Sequence, residues 1–290
     1  MNKKLQTRSS NHQQEARLEL VKLFEETPIP TEELLVNLPL YMRSSVLAKL
    51  LYINELYKMI IRIPGVIMEF GTWWGANLAM FESFRAIYEP YNYTRKVVGF
   101  DTFEGYTDIS KKDGNDPLVQ EGQYKVCDKY FETLSDILDY HQRENVMSHI
   151  KKFELCKGDA PVELNKYLKN NPETIISLAY FDLQLYKPTK KCLRQIVPYL
   201  TKGSVIAMDE LNCKEFPGET KAFKEVIGLT SYRLIRSNFL PDRSYLRLYP
   251  SFPKGHAHGT SWYLMHKILF YTVRNLAGIC SGILRSPTVK

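Results

Sequence analysis

Apolar residues recur at helical spacing along the N-terminal part of the chain, then give way to short apolar runs separated by amphipathic stretches. Residues 1–16 are polar and predict a frayed terminus. A helix is predicted from Glu15 to Glu26, ending at Thr27-Pro28-Ile29-Pro30, because proline lacks an amide donor and disfavours helix in the residue before it. From Ser45 to Ile61 the residues Val46, Leu50, Ile53, Leu56, Tyr57 and Ile60 fall on one helical face, with Ser45 as the expected N-cap. These helices precede the first strand and are expected to cover one edge of the domain.

After Pro64-Gly65 the texture changes. Val66–Phe70 reads as a buried strand and Asn77–Tyr88 as a helix, followed by a second strand, Val97–Phe100, ending at Asp101. A polar stretch from Thr107 to Lys125 is long enough to be a lid or insertion. Further on, the pattern predicts a helix over Tyr130–Tyr140, a strand over Ile150–Cys156, a helix over Val162–Leu168 and a strand over Ile175–Phe181. A helix over Thr189–Tyr199, a strand over Val205–Met208 and a helix over Glu219–Ile227 follow. Two β-like runs, Tyr232–Ile235 and Tyr245–Tyr249, flank a turn at Pro241-Asp242 and predict an antiparallel edge hairpin. Strands alternating with helices imply an α/β fold, a mostly parallel Rossmann-like sheet covered on both faces. The expected organisation is an N-terminal helical cover over 1–62, a main domain over 63–250, and a C-terminal loop and helix over 251–290.

Composition narrows this picture only slightly. Hydrophobic residues make up 44% of the 290 positions, enough for a sizeable core. The net charge of +7 favours an anionic partner, but it is scattered in pairs such as Lys111-Lys112 and Lys190-Lys191, and no nucleic-acid-binding signature accompanies it. Nucleic acid is therefore not an expected partner. The cysteines Cys127, Cys156, Cys192, Cys213 and Cys280 are odd in number and widely spaced, which argues for a reducing compartment and against structural zinc. The basic start has no apolar run after it, so a cytoplasmic location is expected.

In a doubly wound sheet, ligands bind beyond the carboxyl ends of the strands, near the switch point. After the first strand comes Glu69-Phe70-Gly71-Thr72-Trp73-Trp74-Gly75, where glycines allow a tight turn and close approach to a ligand before the next helix. The spacing is not that of the dinucleotide fingerprint G-x-G-x-x-G, which weighs against a nicotinamide oxidoreductase. Asp101 ends the second strand, where an acid can bond both ribose hydroxyls of a nucleoside or serve only as a cap. Asp159, in Lys157-Gly158-Asp159-Ala160, could face an adenine edge or cap a helix. Trp73 and Trp74 sit in the ligand-facing turn, where an indole can stack.

The fourth strand ends at Asp182 and the fifth at Asp209-Glu210, which gathers three carboxylates in one crevice. They repel one another unless a cation or protonation relieves them, and all-oxygen donors suit Mg²⁺, Mn²⁺ or Ca²⁺. The alternative is that one caps a helix and another pairs with Lys187 or Lys190. His256 and His258 lie in a glycine loop, where alternate histidines are more often exposed than liganding.

These residues resemble the class I S-adenosylmethionine (SAM)-dependent methyltransferases, and within them the macrocin O-methyltransferase (TylF-like) family of sugar O-methyltransferases. The matching pieces are Glu69–Gly75, Asp101-Thr-Phe-Glu-Gly105, Gly158-Asp-Ala160, Phe181–Thr189, Gly203–Glu210 and Pro217–Ala222, spanning roughly 64–227. The resemblance implies SAM held by Glu69, Gly71, Thr72, Trp73, Gly75 and Asn77, by Asp101, Thr102 and Phe103, and by Gly158, Asp159, Ala160 and Asp182. It implies Mg²⁺ held by Asp182, Asp209 and Glu210, with Asp182 as the base that takes the acceptor proton. The acceptor would be a hydroxyl of a sugar or glycosylated small molecule. Gln184 stands where the family often has an acid, Tyr180 where it often has a histidine, and Glu210 where it has Asp. Those departures leave open a degenerate SAM-binding protein that acts through partners. Beyond the resemblance, Trp262–Arg285 reads as an amphipathic helix that could dock on the domain, form a dimer contact or lie in a membrane interface.

Overall fold

The computed structural model describes residues 9–248; His256, His258, Cys280 and the segment Trp262–Arg285 lie outside the described residues. Three helices lead in: α1 (Asn11–Glu25), α2 (Thr31–Val36) and α3 (Ser44–Ile60). Helix α1 starts earlier than the polar composition predicts because Ser10 and Gln13 form a capping box. The Gln13 amide donates to Ser10 Oγ at 3.3 Å and the Ser10 amide to Gln13 Oε1 at 3.0 Å. Ser45 is not the N-cap of α3. The helix begins at Ser44, and Ser45 Oγ instead accepts from Arg43 Nη2 at 3.0 Å.

The core alternates β1 (Val66–Phe70), α4 (Ala76–Tyr88), β2 (Val97–Asp101), α5 (Tyr130–Glu144), β3 (Phe153–Lys157), α6 (Ala160–Asn170) and β4 (Ile176–Phe181). It continues through α7 (Tyr186–Ile196), β5 (Leu200–Met208), α8 (Pro217–Val226), β6 (Leu234–Arg236) and β7 (Ser244–Arg247). The seven strands run in the order β3-β2-β1-β4-β5-β7-β6. Strands β1 to β5 pair in parallel, and β7 runs antiparallel to both its neighbours. This is the mostly parallel sheet with an edge hairpin that the pattern predicts.

Period-two alternation sends successive side chains to opposite faces. Ile67, Leu178 and Val205 join Leu56, Phe81 and Leu134 under α3, α4 and α5. Met68, Ala179 and Ile206 join Leu164, Leu193 and Phe223 under α6, α7 and α8. Helix α3 is thus part of a buried face rather than an edge cover, with Tyr52, Ile53, Leu56, Tyr57 and Ile60 all inaccessible. Helices α1 and α2 bury no residue. Strand β3 starts three residues later than predicted because Gln142 claims the approach: its Nε2 donates to Ile150 O and its Oε1 accepts from the Lys152 amide. Helix α7 starts earlier because Pro188 falls in its first turn, where no amide donor is needed. Among the described residues no helix is long and apolar enough to cross a membrane.

The amino ends of the strands are clamped by Arg95, which is 1% exposed. Its Nη2 donates to Ile60 O and Ile63 O, both at 2.9 Å, and its Nη1 to Ser177 Oγ at 2.7 Å and to Gly65 O. Glu89 receives Arg95 Nε at 2.9 Å, Tyr57 Oη at 2.8 Å and Asn92 Nδ2 at 2.8 Å. Burial alone would raise the Glu89 pKa, but these donors hold it below 4.5.

Candidate active site

At the carboxyl ends of the strands lies a cavity of about 230 Å³. It sits where the strand order reverses between β1 and β4, the position at which such sheets bind ligands. Gly71, Trp73, Asp101, Thr102, Asp159, Ala160 and Asp182 line it. Glu69, Thr72, Gly75, Asn77, Phe103 and Gly158 are not on its wall; most of them build the turns behind it. Gly71 has φ +91°, and a Cβ there would run into the Asp182 carbonyl, so only glycine lets β1 and β4 end this close together. Glu69 is fully buried; its Oε1 accepts from Asn77 Nδ2 at 2.6 Å while Oε2 has no partner. Burial pushes the Glu69 carboxyl well above its ordinary range.

Asp101 ties two turns together. Its Oδ2 accepts from the Trp73 amide at 2.7 Å and its Oδ1 from the Phe103 amide at 2.6 Å. Both donors have positive φ, at 49° and 59°. Each carboxylate oxygen keeps a second lone pair, as a ribose hydroxyl requires. Asp159 occupies the N-cap position of α6 but makes no side-chain cap bond, which leaves its carboxylate facing the cavity. Burial raises its pKa. Trp73 meets Tyr124 edge to face at 5.7 Å. Trp74 turns away onto Tyr130, whose hydroxyl donates to the Trp74 carbonyl at 2.8 Å.

The polar stretch 107–125 is held at one point by Asp113. Its Oδ1 accepts from the Tyr186 amide at the start of α7, and its Oδ2 from Ser110 at 2.7 Å. Tyr106 and Tyr124, at its two ends, pack 5.2 Å apart and line the cavity. Burial raises the Tyr124 phenol to about 12.

The chemical end holds Asp182, Asp209 and Glu210, as the strand tips predict. Asp182 is partly buried in the cavity wall; desolvation raises its pKa, Asp209 adds to the rise, and Lys49 and Arg243 oppose it. Glu210 is raised to about 7 by burial and by Asp209. Glu219 is buried behind them, accepting from the Glu210 amide at 2.9 Å. Neither of the lysines considered as partners neutralises this cluster: Lys187 pairs with Asp108 and Lys190 with Glu225. Three cations line the cavity: Lys191, from α7, on the Asp159 side, and, nearer Asp182 and Asp209, Lys49, from α3, and Arg243, from the turn before β7. Of these last two, neither is legible as a site residue in the sequence, because each reaches the crevice from an element far away along the chain.

Arg243 pairs with Asp209, and Tyr180 Oη donates to the same Asp209 oxygen at 2.5 Å. Carboxylate oxygens and an excess of acids over cations fit a hard divalent ion in donor chemistry. Among the described residues, however, no three acidic, histidine or cysteine side chains converge as a metal-holding group. Asp209 is turned onto Arg243 instead.

The cavity at the switch point and the acid after β2 are the marks of a nucleoside-type cofactor site, and solved structures carry the same architecture. The chain is 42% identical to CalS11, the calicheamicin methyltransferase, covering 83% of this chain and 94% of that one with a TM-score of 0.81. A second structure, apo CalS11, described as a TDP-rhamnose 3'-O-methyltransferase, gives 40% identity over 83% and 96% with a TM-score of 0.74. The chain belongs to the macrocin O-methyltransferase family of class I SAM-dependent methyltransferases. The O-methyltransferase NovP, 15% identical over 70% of this chain with a TM-score of 0.50, shares the fold. No family model and no curated protein matches the chain. Membership makes this chain a SAM-dependent methyltransferase, and the nicotinamide reading falls.

Proposed function

We propose that this methyltransferase transfers a methyl group to a hydroxyl of a sugar or glycosylated small molecule in polysaccharide or natural-product biosynthesis. The similarity to the TDP-rhamnose 3'-O-methyltransferase, at 40% identity over nearly all of that chain, carries the reading. A cleft of about 630 Å³ supports it: it adjoins the cofactor cavity through Glu210 and is lined by both apolar and polar side chains, such as Phe216, Pro241, Asn212 and Arg236. Apolar faces for ring C–H groups with polar groups around them suit a sugar.

In this reading Asp101 receives the ribose hydroxyls, and Asp159 and Ala160 border the adenine. SAM supplies an electrophilic methyl group when bound. Asp182 accepts the proton of the attacking hydroxyl on a carboxylate oxygen, and its raised pKa suits it to hold that proton. Asp182 and Glu210 carry oxygen donors of the kind a hard divalent ion takes, but Asp209 pairs with Arg243 and the three do not converge on one ion, so the proton is assigned to Asp182 alone. Orienting the hydroxyl in line with the methyl accounts for much of the acceleration. Asp182→Asn is expected to lower kcat roughly 10²–10⁴-fold, with SAM affinity by calorimetry nearly unchanged. Turnover near wild type on nucleotide-linked and free glycoside acceptors would remove Asp182 from its role.

A further inference from the structure

SAM carries an amino acid at the end opposite its adenine, and that end brings a carboxylate into a cavity lined mostly by acids. The tips of β3, β2, β1 and β4 stand side by side. With the adenine at Asp159 and the ribose at Asp101, the sulfur comes to the tip of β1 and the amino-acid arm continues toward Asp182, after β4. Alternation along the strands puts Glu69 and Asp182 on the face that α3 covers, the face to which Ile67, Leu178 and Tyr180 also point. The arm therefore extends toward α3.

A carboxylate placed beside Asp182, Asp209 and Glu210 is repelled unless a cation meets it. Of the three cations on the cavity wall, Lys191 lies on the Asp159 side, with the adenine. Arg243 is already held between Asp209 and Asp242. Lys49 is half-buried and, among the described residues, has neither a hydrogen-bond nor an ion-pair partner. Its charge acts on Glu69 and Asp182 together, favouring the ionised form of each, which puts its ammonium near the tips of β1 and β4. Partial burial without a partner costs an ammonium solvation that an incoming anion restores.

We propose that Lys49 binds the methionine carboxylate of SAM, so that α3, a helix that precedes the first strand, completes the cofactor site. This rests on the reading that Asp101 receives the ribose hydroxyls and Asp159 borders the adenine. Lys49 is carried to the cavity by the packing of Tyr52, Leu56 and Ile60, further along the same helix, into the core. SAM and S-adenosylhomocysteine both keep the carboxylate and make the contact equally. Decarboxylated SAM and methylthioadenosine lack it, so Lys49 distinguishes the cofactor and its by-product from these smaller adenosine thioethers and sulfonium compounds.

The test is calorimetric titration of the full chain with SAM, S-adenosylhomocysteine, decarboxylated SAM and methylthioadenosine. Lys49→Gln is expected to weaken SAM and S-adenosylhomocysteine by about tenfold or more, the worth of one hydrogen bond to a charged group. The same variant should bind methylthioadenosine as wild type does, and decarboxylated SAM as well as wild type or better. Methylthioadenosine thus also reports that the variant is folded. Lys49→Arg, which keeps the charge, should recover part of the loss. Equal weakening of all the ligands would make Lys49 a structural residue and overturn the contact. Unchanged affinity for SAM and S-adenosylhomocysteine would overturn it as well. Asp101→Asn tests the underlying placement separately, since every one of these ligands carries the ribose and all should weaken. If they do not, while Lys49→Gln still discriminates by the carboxylate, the ribose assignment falls and the Lys49 contact stands.

Discussion

The two ends of one sheet each bury an arginine against a carboxylate, and they are built to opposite ends. At the amino ends, Arg95 is surrounded by main-chain carbonyls, Ser177 and Glu89, and the carboxylate it meets is saturated by donors. At the carboxyl ends, Arg243 faces Asp209, Asp182 and Glu210 together, with Glu219 behind. Glu69 Oε2, Thr72 Oγ1 and Gln184 Oε1 are left there without partners. Unpaired buried polar atoms cost stability, so a fold keeps them only where something else uses them. The paired arginine holds the sheet together; the under-paired one marks where ligands belong.

The largest expected effect comes from breaking the amino-end clamp. Arg95→Ala leaves Glu89 and several carbonyls buried without donors and should cost about 3–5 kcal/mol of stability in urea unfolding. A loss below about 1 kcal/mol would contradict the comparison, since it would put Arg95 in the range of an ordinary surface pair. Glu89→Gln sharpens the same point through pH. Folding lowers the Glu89 pKa, so its contribution is fully present above the unfolded value near 4.5 and is lost as pH falls through the lower folded value. The variant should be less stable at neutral pH and lose less of that stability on acidification, read as a shallower fall in melting temperature below pH 4.5. The smallest effect is at the other end. Asp159→Asn should leave stability nearly unchanged and weaken SAM binding by about 0.5–1.5 kcal/mol, the worth of one hydrogen bond. An unfolding midpoint that drops while SAM affinity holds would reverse the assignment of that end to ligands.

How much of this was legible in the sequence follows from how local each feature is. The strands announce themselves as unbroken apolar runs, because a parallel sheet is buried on both faces. Asp101, Asp159, Asp182, Asp209 and Glu210 are legible for the same reason, each being a polar residue at or just after a strand's end. Lys49 and Arg243 are not. Lys49 lies on a helix that reads as a cover, and Arg243 reaches Asp209 only because β7 inserts beside β5. No spacing rule encodes a contact made by strand pairing between segments so far apart. The start of β3 was misplaced for a related reason: Gln142, on the preceding helix, captures the main chain at Ile150 and Lys152. The capping box at Ser10 and Gln13 was there to be read, and it shows that polarity alone does not make a frayed end.

The place of Arg243 in the chain has a consequence for synthesis. Strands β1 to β5, with their carboxylate-bearing tips, leave the ribosome before the turn that carries the neutralising guanidinium. A nascent chain ending before residue 243 has the acids and Lys49 but not the guanidinium that pairs with Asp209, and β5 has no antiparallel neighbour. The N-terminal part therefore cannot settle into its final form ahead of the rest, as N-terminal units commonly do during translation. Completion of the edge hairpin supplies, in one event, both the missing strand and the missing charge.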